Sequence, residues 1–181
     1  MALDGECHAL FDASKKASRE EVCYYPDEFL LESKYVFFIK KENAGKLKYE
    51  TFDDLKNYKI GVTHEYSYTA DFWAFLNANK NFDTARTDEQ SIKKLLLGRV
   101  DYFPGELGNI NIIMNDLDSK EKLNAREQLT YLPKPLTQKP YYIIFNKKKM
   151  SKEFVDKFSE ALKNFKQTDE FAKISEKYFG K

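Results

Sequence analysis

Two short apolar runs frame this chain: Tyr35–Ile39 (YVFFI) and Tyr141–Phe145 (YYIIF). Both are dense in β-branched and aromatic residues and shorter than an ordinary helix, so both read as buried strands. Between them the pattern alternates. KIGVT at 59–63 reads as a strand, and Phe72, Phe75 and Leu76 share one helical face. A short strand at 82–85 is followed by a helix carrying Ile92, Leu95 and Leu96. A strand at 100–103, a helix over 106–114 and a strand at 129–132 complete the order. Alternation of this kind builds an α/β unit on a mainly parallel sheet. A unit entered by one buried strand and left by another is an inserted lobe. Lobe 2 is therefore placed at 39–141, and the flanks 1–38 and 142–181 make up a partial lobe 1.

The flanks are poorer in strands. CHALF at 7–11 reads as a short strand, and residues 12–35 as polar and irregular. Two amphipathic helices close the chain. One carries Phe154, Val155, Phe158, Ala161, Leu162 and Phe165; the other carries Phe171, Ile174 and Tyr178 and stops at Gly180. These faces have very little sheet to cover, which predicts an incomplete lobe. A lobe of that size lacking its central strands is marginal in burying a core. Exposed apolar surface on these helices is the expectation, unless another chain covers it. Lys147–Lys149 reads as a solvated connection between strand and helix.

Local signals place the helix ends. Thr51 with Asp54, and Thr87 with Gln90, have capping-box spacing. Ser67 is the expected N-cap of the helix bearing Phe72, and Gly98 suits a left-handed stop. After the strand at 100–103, Pro104-Gly105 reads as a turn carrying Glu106. Open α/β sheets bind ligands beyond the carboxyl ends of their strands. Glu106 is thus the first residue to suspect of touching a small molecule. Asp101 lies within the strand and reads as structural, bonded to backbone. Tyr102 and Phe103 alternate, so at most one of them lines a cleft.

Several function classes find no support. Lys and Arg number 30 against 29 Asp and Glu, with the signs interspersed. That gives none of the basic face that nucleic acid requires. No apolar stretch approaches the ~20 residues of a membrane span. Met1-Ala2-Leu3-Asp4 turns acidic at once and has no apolar leader core. Two readings follow: a cytosolic protein, or a chain whose natural start has been removed. Cys7 and Cys23 have no CxxC spacing, and His8 and His64 are isolated. No metal or cofactor is expected; the cysteines stay open between buried thiols and one disulfide.

FDASKKASREE, YKIGVTHEYSY, LLLGRVDYFPGEL and KISEKYFGK follow one another along the chain. In that order they resemble the polar-amino-acid type of extracytoplasmic solute-binding protein (family 3), the receptor component of ABC importers. The resemblance implies a periplasmic-binding-protein-like (type II) α/β fold. Two lobes are joined by two crossover strands, matched by 35–39 and 141–145, and close on a ligand like a hinge. The family's opening βαβ segment has no counterpart here, so the first lobe is incomplete. It also implies a small amino-acid-like ligand, ABC membrane subunits as partners, a periplasmic location, and neither cofactor nor catalysis.

The implied ligand-binding residues are Arg19, Ser14, Asp12, Tyr66, Ser67 and Glu106. Arg19 stands where the family grips a ligand carboxylate, which a guanidinium fork fits. Its plain alternative is a surface pair with Glu20 or Glu21. Ser14 and Asp12 sit at a strand end, where turn chemistry explains them equally well. Tyr66 and Ser67 open a helix whose N–H groups attract an anion. Glu106 matches the acid that holds an amino-acid ammonium; the plain reading is an acid favourable to a helix dipole. Lys15, Lys16 and Glu65 depart from the pattern. An acid at 65 weakens carboxylate binding or favours a ligand with a cationic group. Two other functions remain on the same scaffold. One is an enzyme of dehydratase or lytic-transglycosylase type, with Glu106 or Glu65 as acid or base. The other is the sensing module of a membrane receptor.

Overall fold

The computed structural model describes residues 6–64, 66 and 68–179. Glu65, Ser67, the Gly180 stop and the side chain of Tyr178 lie outside the described residues. The chain forms two compact units, Met1–Ser33 with Lys139–Lys181 (unit 1) and Lys34–Gln138 (unit 2).

Unit 2 is built around β3 (Leu31–Lys40), which is buried on both faces. Side chains alternate along a strand. Val36 and Phe38 therefore join one core, and Phe37 and Ile39 another. The first core is filled from α3 (Asp88–Leu96) by Ile92 and Leu95, and from α4 (Leu107–Glu121) by Leu107, Ile110, Met114 and Leu117. The second takes Ile60 and Val62 from β4 (Ile60–Thr63), Phe72 and Leu76 from α2 (Ala70–Asn79), and Tyr102. It is largely aromatic. Phe37 meets Tyr49, Phe72 and Tyr102 edge-on at 4.6, 5.6 and 5.8 Å, the geometry that ring quadrupoles favour.

The parallel expectation holds for β4 and β5 (Phe82–Ala85), paired from Ile60↔Phe82 to Thr63↔Ala85, and for the bridge Ile60↔Tyr102. It fails for the next element. The strand expected at 100–103 is β6, Phe103–Glu106, antiparallel to β3. Pro104 and Gly105 thus lie in a strand, opposite Phe37 and Val36, rather than in a turn. β6 is the outermost strand of its sheet, where a proline's missing N–H is tolerated. Gly105 is there for closeness. A Cβ on it would lie 2.5 Å from Ile110 Cγ1. Tyr102 and Phe103 fill opposite cores, so neither lines a cleft. Asp101 is bonded to backbone as expected, its Oδ2 accepting from Lys59 N at 2.8 Å.

Two boundaries also move. α4 runs to Glu121, beyond the expected helix end at 114, and α5 (Ala125–Gln128) follows at once. The expected strands 129–132 and 141–145 are one strand, β7 (Leu129–Asn146), which passes through Pro133, Pro135 and Pro140. Proline's fixed φ is compatible with extended backbone, and only its donor is lost. The helix stop is where the sequence puts it, with Gly98 at φ +67.

In unit 1, β1 (Ala9–Ser14) and the two-residue β2 (Cys23–Tyr24) both pair antiparallel with the far end of β7. Between them lies α1 (Ala17–Val22), in a stretch expected to be irregular. Asp12, at φ 60, sits in a register shift of β1, a β-bulge that bends the strand. Phe145 packs on Phe154 and Phe158 of α6 (Lys152–Phe165), with ring centroids 5.7 and 5.0 Å apart. Lys166 binds Glu28 at 2.6 Å. Much apolar surface stays open. Phe11 is 71% exposed, and Phe154, Phe165 and, in α7 (Asp169–Phe179), Ile174 are 40–46% exposed. Lys147–Met150 turns from β7 into α6, with the Lys147 ammonium on the carbonyls of Glu20 and Glu21. Cys7 and Cys23 are both free thiols.

Candidate functional site

The chemistry-bearing groups of unit 2 converge where β4 ends and α3 and α4 begin. Asp88 is the first residue of α3, and Thr87 caps that helix by accepting from Gln90 N. Only 6% exposed, the Asp88 carboxylate is held by three side-chain donors. Thr63 Oγ1 donates to Oδ1 at 2.7 Å, Tyr66 Oη to Oδ2 at 2.8 Å, and Asn109 Nδ2 to Oδ2 at 3.0 Å. Ser91 Oγ lies 3.2 Å from Thr63 Oγ1. A buried carboxylate is costly unless hydrogen-bonded; here the helix N-terminus adds its dipole.

Two tyrosines brace this corner. Tyr66 and Tyr68 stack with centroids 6.0 Å apart, and Tyr35 meets both edge-on. Tyr68 Oη accepts from Thr63 N and donates to Pro104 O, each at 3.2 Å. Burial, and after it the hydrogen bond to Asp88, pushes the Tyr66 hydroxyl well above the usual phenol range. Burial does the same to Tyr68.

Thr63, Tyr66, Asp88 and Asn109 line one cavity of about 470 Å3, together with Arg86, Glu89, Ile112, Ile113, Asp116 and Lys120. Its size and mixed lining suit a small polar molecule. Lys93 bridges Glu89 and Glu121, at 2.9 and 2.7 Å, and Lys120 pairs with Asp116 at 2.8 Å.

The residues singled out by sequence fall as follows. Tyr66 lines the cavity. Glu106 ends β6 and N-caps α4, its Oε2 accepting from Asn109 N at 2.7 Å. Ser67 lies outside the described residues, and the cap expected of it is supplied by Thr69, whose Oγ1 accepts from Phe72 N at 3.3 Å. Threonine caps as serine does, and the helix begins after Tyr68 is buried in the core. In unit 1, Arg19 Nη1 donates to Ser14 O at 2.8 Å and to Ser14 Oγ at 3.3 Å. Glu20 is taken by Lys15 at 3.3 Å, so Arg19 and Ser14 form one polar group. Asp12 is exposed in the bulge. Sequence reasoning passed over Thr63, Asp88 and Asn109. The signal for them was present: each is a polar residue at a strand end or in a first helical turn.

No protein-family model matches the chain, and no curated protein matches it significantly. Solved structures do. An ancestral cationic amino acid solute-binding protein (AncCDT-1) matches at TM-score 0.71 and 17% identity, over 98% of this chain and 72% of its own. The probable amino-acid ABC transporter extracellular-binding protein YtmK of Bacillus subtilis matches at 0.67 and 13%, over 99% and 74%. A histidine kinase sensor domain with similarity to periplasmic binding proteins matches at 0.55 and 16%, over 99% and 72%. The chain therefore has the periplasmic-binding-protein-like α/β fold, shared over nearly its whole length with amino-acid solute-binding proteins. Over a quarter of each of those chains has no counterpart in it. Among the described residues no helix is long and apolar enough to cross a membrane.

Proposed function

We propose that this chain binds a small polar, amino-acid-like solute without transforming it. The observation that carries the reading is the unit 2 cavity. Buried Thr63 and Asp88, half-buried Tyr66 and exposed Asn109 converge there at strand and helix ends, on a fold shared with solute-binding proteins. Tyr66 on the cavity wall, and Glu106, which holds Asn109 N without lining the cavity itself, are with Ser67 the proposed solute contacts in unit 2; Arg19, Ser14 and Asp12 are those of unit 1. Hinge closure, hand-over to ABC membrane subunits and a periplasmic location are the finer part of the proposal and rest on the sequence resemblance. A second reading, the ligand-sensing module of a receptor, is favoured by the likeness to the kinase sensor domain. Both require solute binding first.

The test is thermal denaturation of the purified chain against the twenty L-amino acids at millimolar concentration. A ligand at a hundred times its Kd stabilises by about 2.7 kcal/mol, so a bound amino acid raises Tm by several degrees. Glu106→Gln keeps an oxygen for the Asn109 N–H but removes the charge. It should abolish the rise while leaving the unliganded Tm nearly unchanged. A flat response across the panel from a folded protein refutes the reading.

A further inference from the structure

We propose that Asp88 sets the hydrogen-bond polarity of the unit 2 cavity and so selects a solute group rich in N–H donors, an ammonium or a guanidinium. The proposal rests on the solute-binding reading above and adds to it the chemistry of what is bound.

A carboxylate only accepts; a hydroxyl has one proton to give. Thr63 and Tyr66 each spend that proton on Asp88, at 2.7 and 2.8 Å. Ser91 must then donate to Thr63, whose oxygen is left as the acceptor of their 3.2 Å contact. Tyr66 Oη likewise retains only lone pairs for anything in the cavity. Asn109 spends one N–H on Asp88, and its Oδ1 is an acceptor. Thr63 and Tyr66 have thereby committed their only protons to one buried carboxylate, so Tyr66 meets the cavity as an acceptor alone, while Asn109 keeps one N–H beside its acceptor oxygen.

Charge acts in the same direction. Glu89 and Glu121 share Lys93 and Asp116 pairs with Lys120, so three acids meet two ammonium groups, and the three donors on Asp88 are neutral. Arg86 is the opposing group on this wall, and it is exposed. A carboxylate-bearing end of a solute finds no proton on Tyr66 and one N–H on Asn109; an ammonium or guanidinium finds lone pairs on both. Asp88, buried behind them, acts as a positioning residue: it fixes the direction of bonds that Tyr66 and Asn109 make.

The experiment is calorimetric titration of the full chain with L-arginine, L-glutamine and L-glutamate, repeated on Asp88→Asn and Tyr66→Phe. Wild type should bind arginine most tightly and glutamate least. Asp88→Asn supplies an amide donor and lets Tyr66 turn its proton to the cavity. It should reduce the arginine-over-glutamine preference by about tenfold, the scale of a hydrogen bond to a charged group. Tyr66→Phe keeps the stacked ring but removes the acceptor, and should reduce the preference in the same direction. If Asp88→Asn fails to fold, as read by circular dichroism and Trp73 emission, Tyr66→Phe carries the test. Glutamate binding as tightly as arginine, or a preference unchanged in the folded variants, overturns the proposal and leaves solute binding standing. Failure of all three ligands and of the wider amino-acid panel refutes the solute-binding reading and this proposal with it.

Discussion

Gly105→Ala tests the position of β6 most directly. The added Cβ would lie 2.5 Å from Ile110 Cγ1, 3.0 Å from Ile110 Cδ1 and 3.3 Å from Phe103 Cε1. Ile110 and Phe103 are fully buried in the same core, so neither can step aside into solvent. Overpacking of this kind costs ~1–3 kcal/mol, a large fraction of a typical ~5–15 kcal/mol. In an open Pro-Gly turn the same change would be neutral, or stabilising by ~0.4–1 kcal/mol where φ allows it. The two placements therefore predict opposite signs. Urea denaturation followed by Trp73, the chain's single tryptophan and a residue of α2, reads unit 2 directly. Ile110→Ala should itself cost ~2–5 kcal/mol, yet in that background Gly105→Ala should cost less than it does alone. Coupling of ~0.5–3 kcal/mol is expected for residues in contact. A neutral or stabilising Gly105→Ala, or strict additivity with Ile110→Ala, refutes the packing argument.

Other expectations follow from single contacts. The Asp54 carboxyl is held at about 2, below its ordinary 3.8, by the backbone N–H groups of Thr51 and Glu50. A depressed folded value means the contribution is full above 3.8 and lost as pH falls toward 2. Asp54→Asn should flatten that part of a urea-midpoint-versus-pH curve and no other. Thr69→Ala should cost ~1 kcal/mol by removing the α2 cap, with Thr69→Ser restoring most of it; an unchanged midpoint would place the cap elsewhere. At Gly98 a Cβ has room, since its nearest neighbour is Lys40 Nζ at 3.6 Å. Gly98→Ala should still cost ~1–2 kcal/mol through its left-handed backbone alone, and Gly98→Asn less.

What the sequence made legible was local. Thr87 and Gly98 bracket α3 by capping chemistry that needs no tertiary information, and Ile92 and Leu95 declare its buried face by spacing. Asp101 was expected to bond backbone and does so through Lys59 N, although it lies ahead of the strand rather than inside it. The errors arose where a neighbour decides. Pro104-Gly105 has turn composition, and only the approach of Ile110 makes it a strand. Pro133, Pro135 and Pro140 divide the apolar pattern of β7 into the two strands expected, although extended backbone accepts them. Thr69 and Ser67 are equally good caps, and the burial of Tyr68 chooses between them. The polar corner was half legible: Tyr66 and Glu106 stand at element ends. Asp88 looked like one more acid in a first helical turn, because its three donors come from residues 63, 66 and 109.

Unit 2 is one uninterrupted stretch, whereas unit 1 is assembled from two segments. Its bond from Glu28 N to Ser159 Oγ spans 131 residues, and Ala9 pairs with Phe145. On a translating ribosome, at ~5–20 residues per second, β1 waits on the order of ten seconds for the strand it must join. Unit 2 can close during that interval. Leu10 and Phe11, well exposed even in the finished fold, have no partner strand until then. The pairing that completes unit 1 therefore waits for a strand end made only after the whole of unit 2.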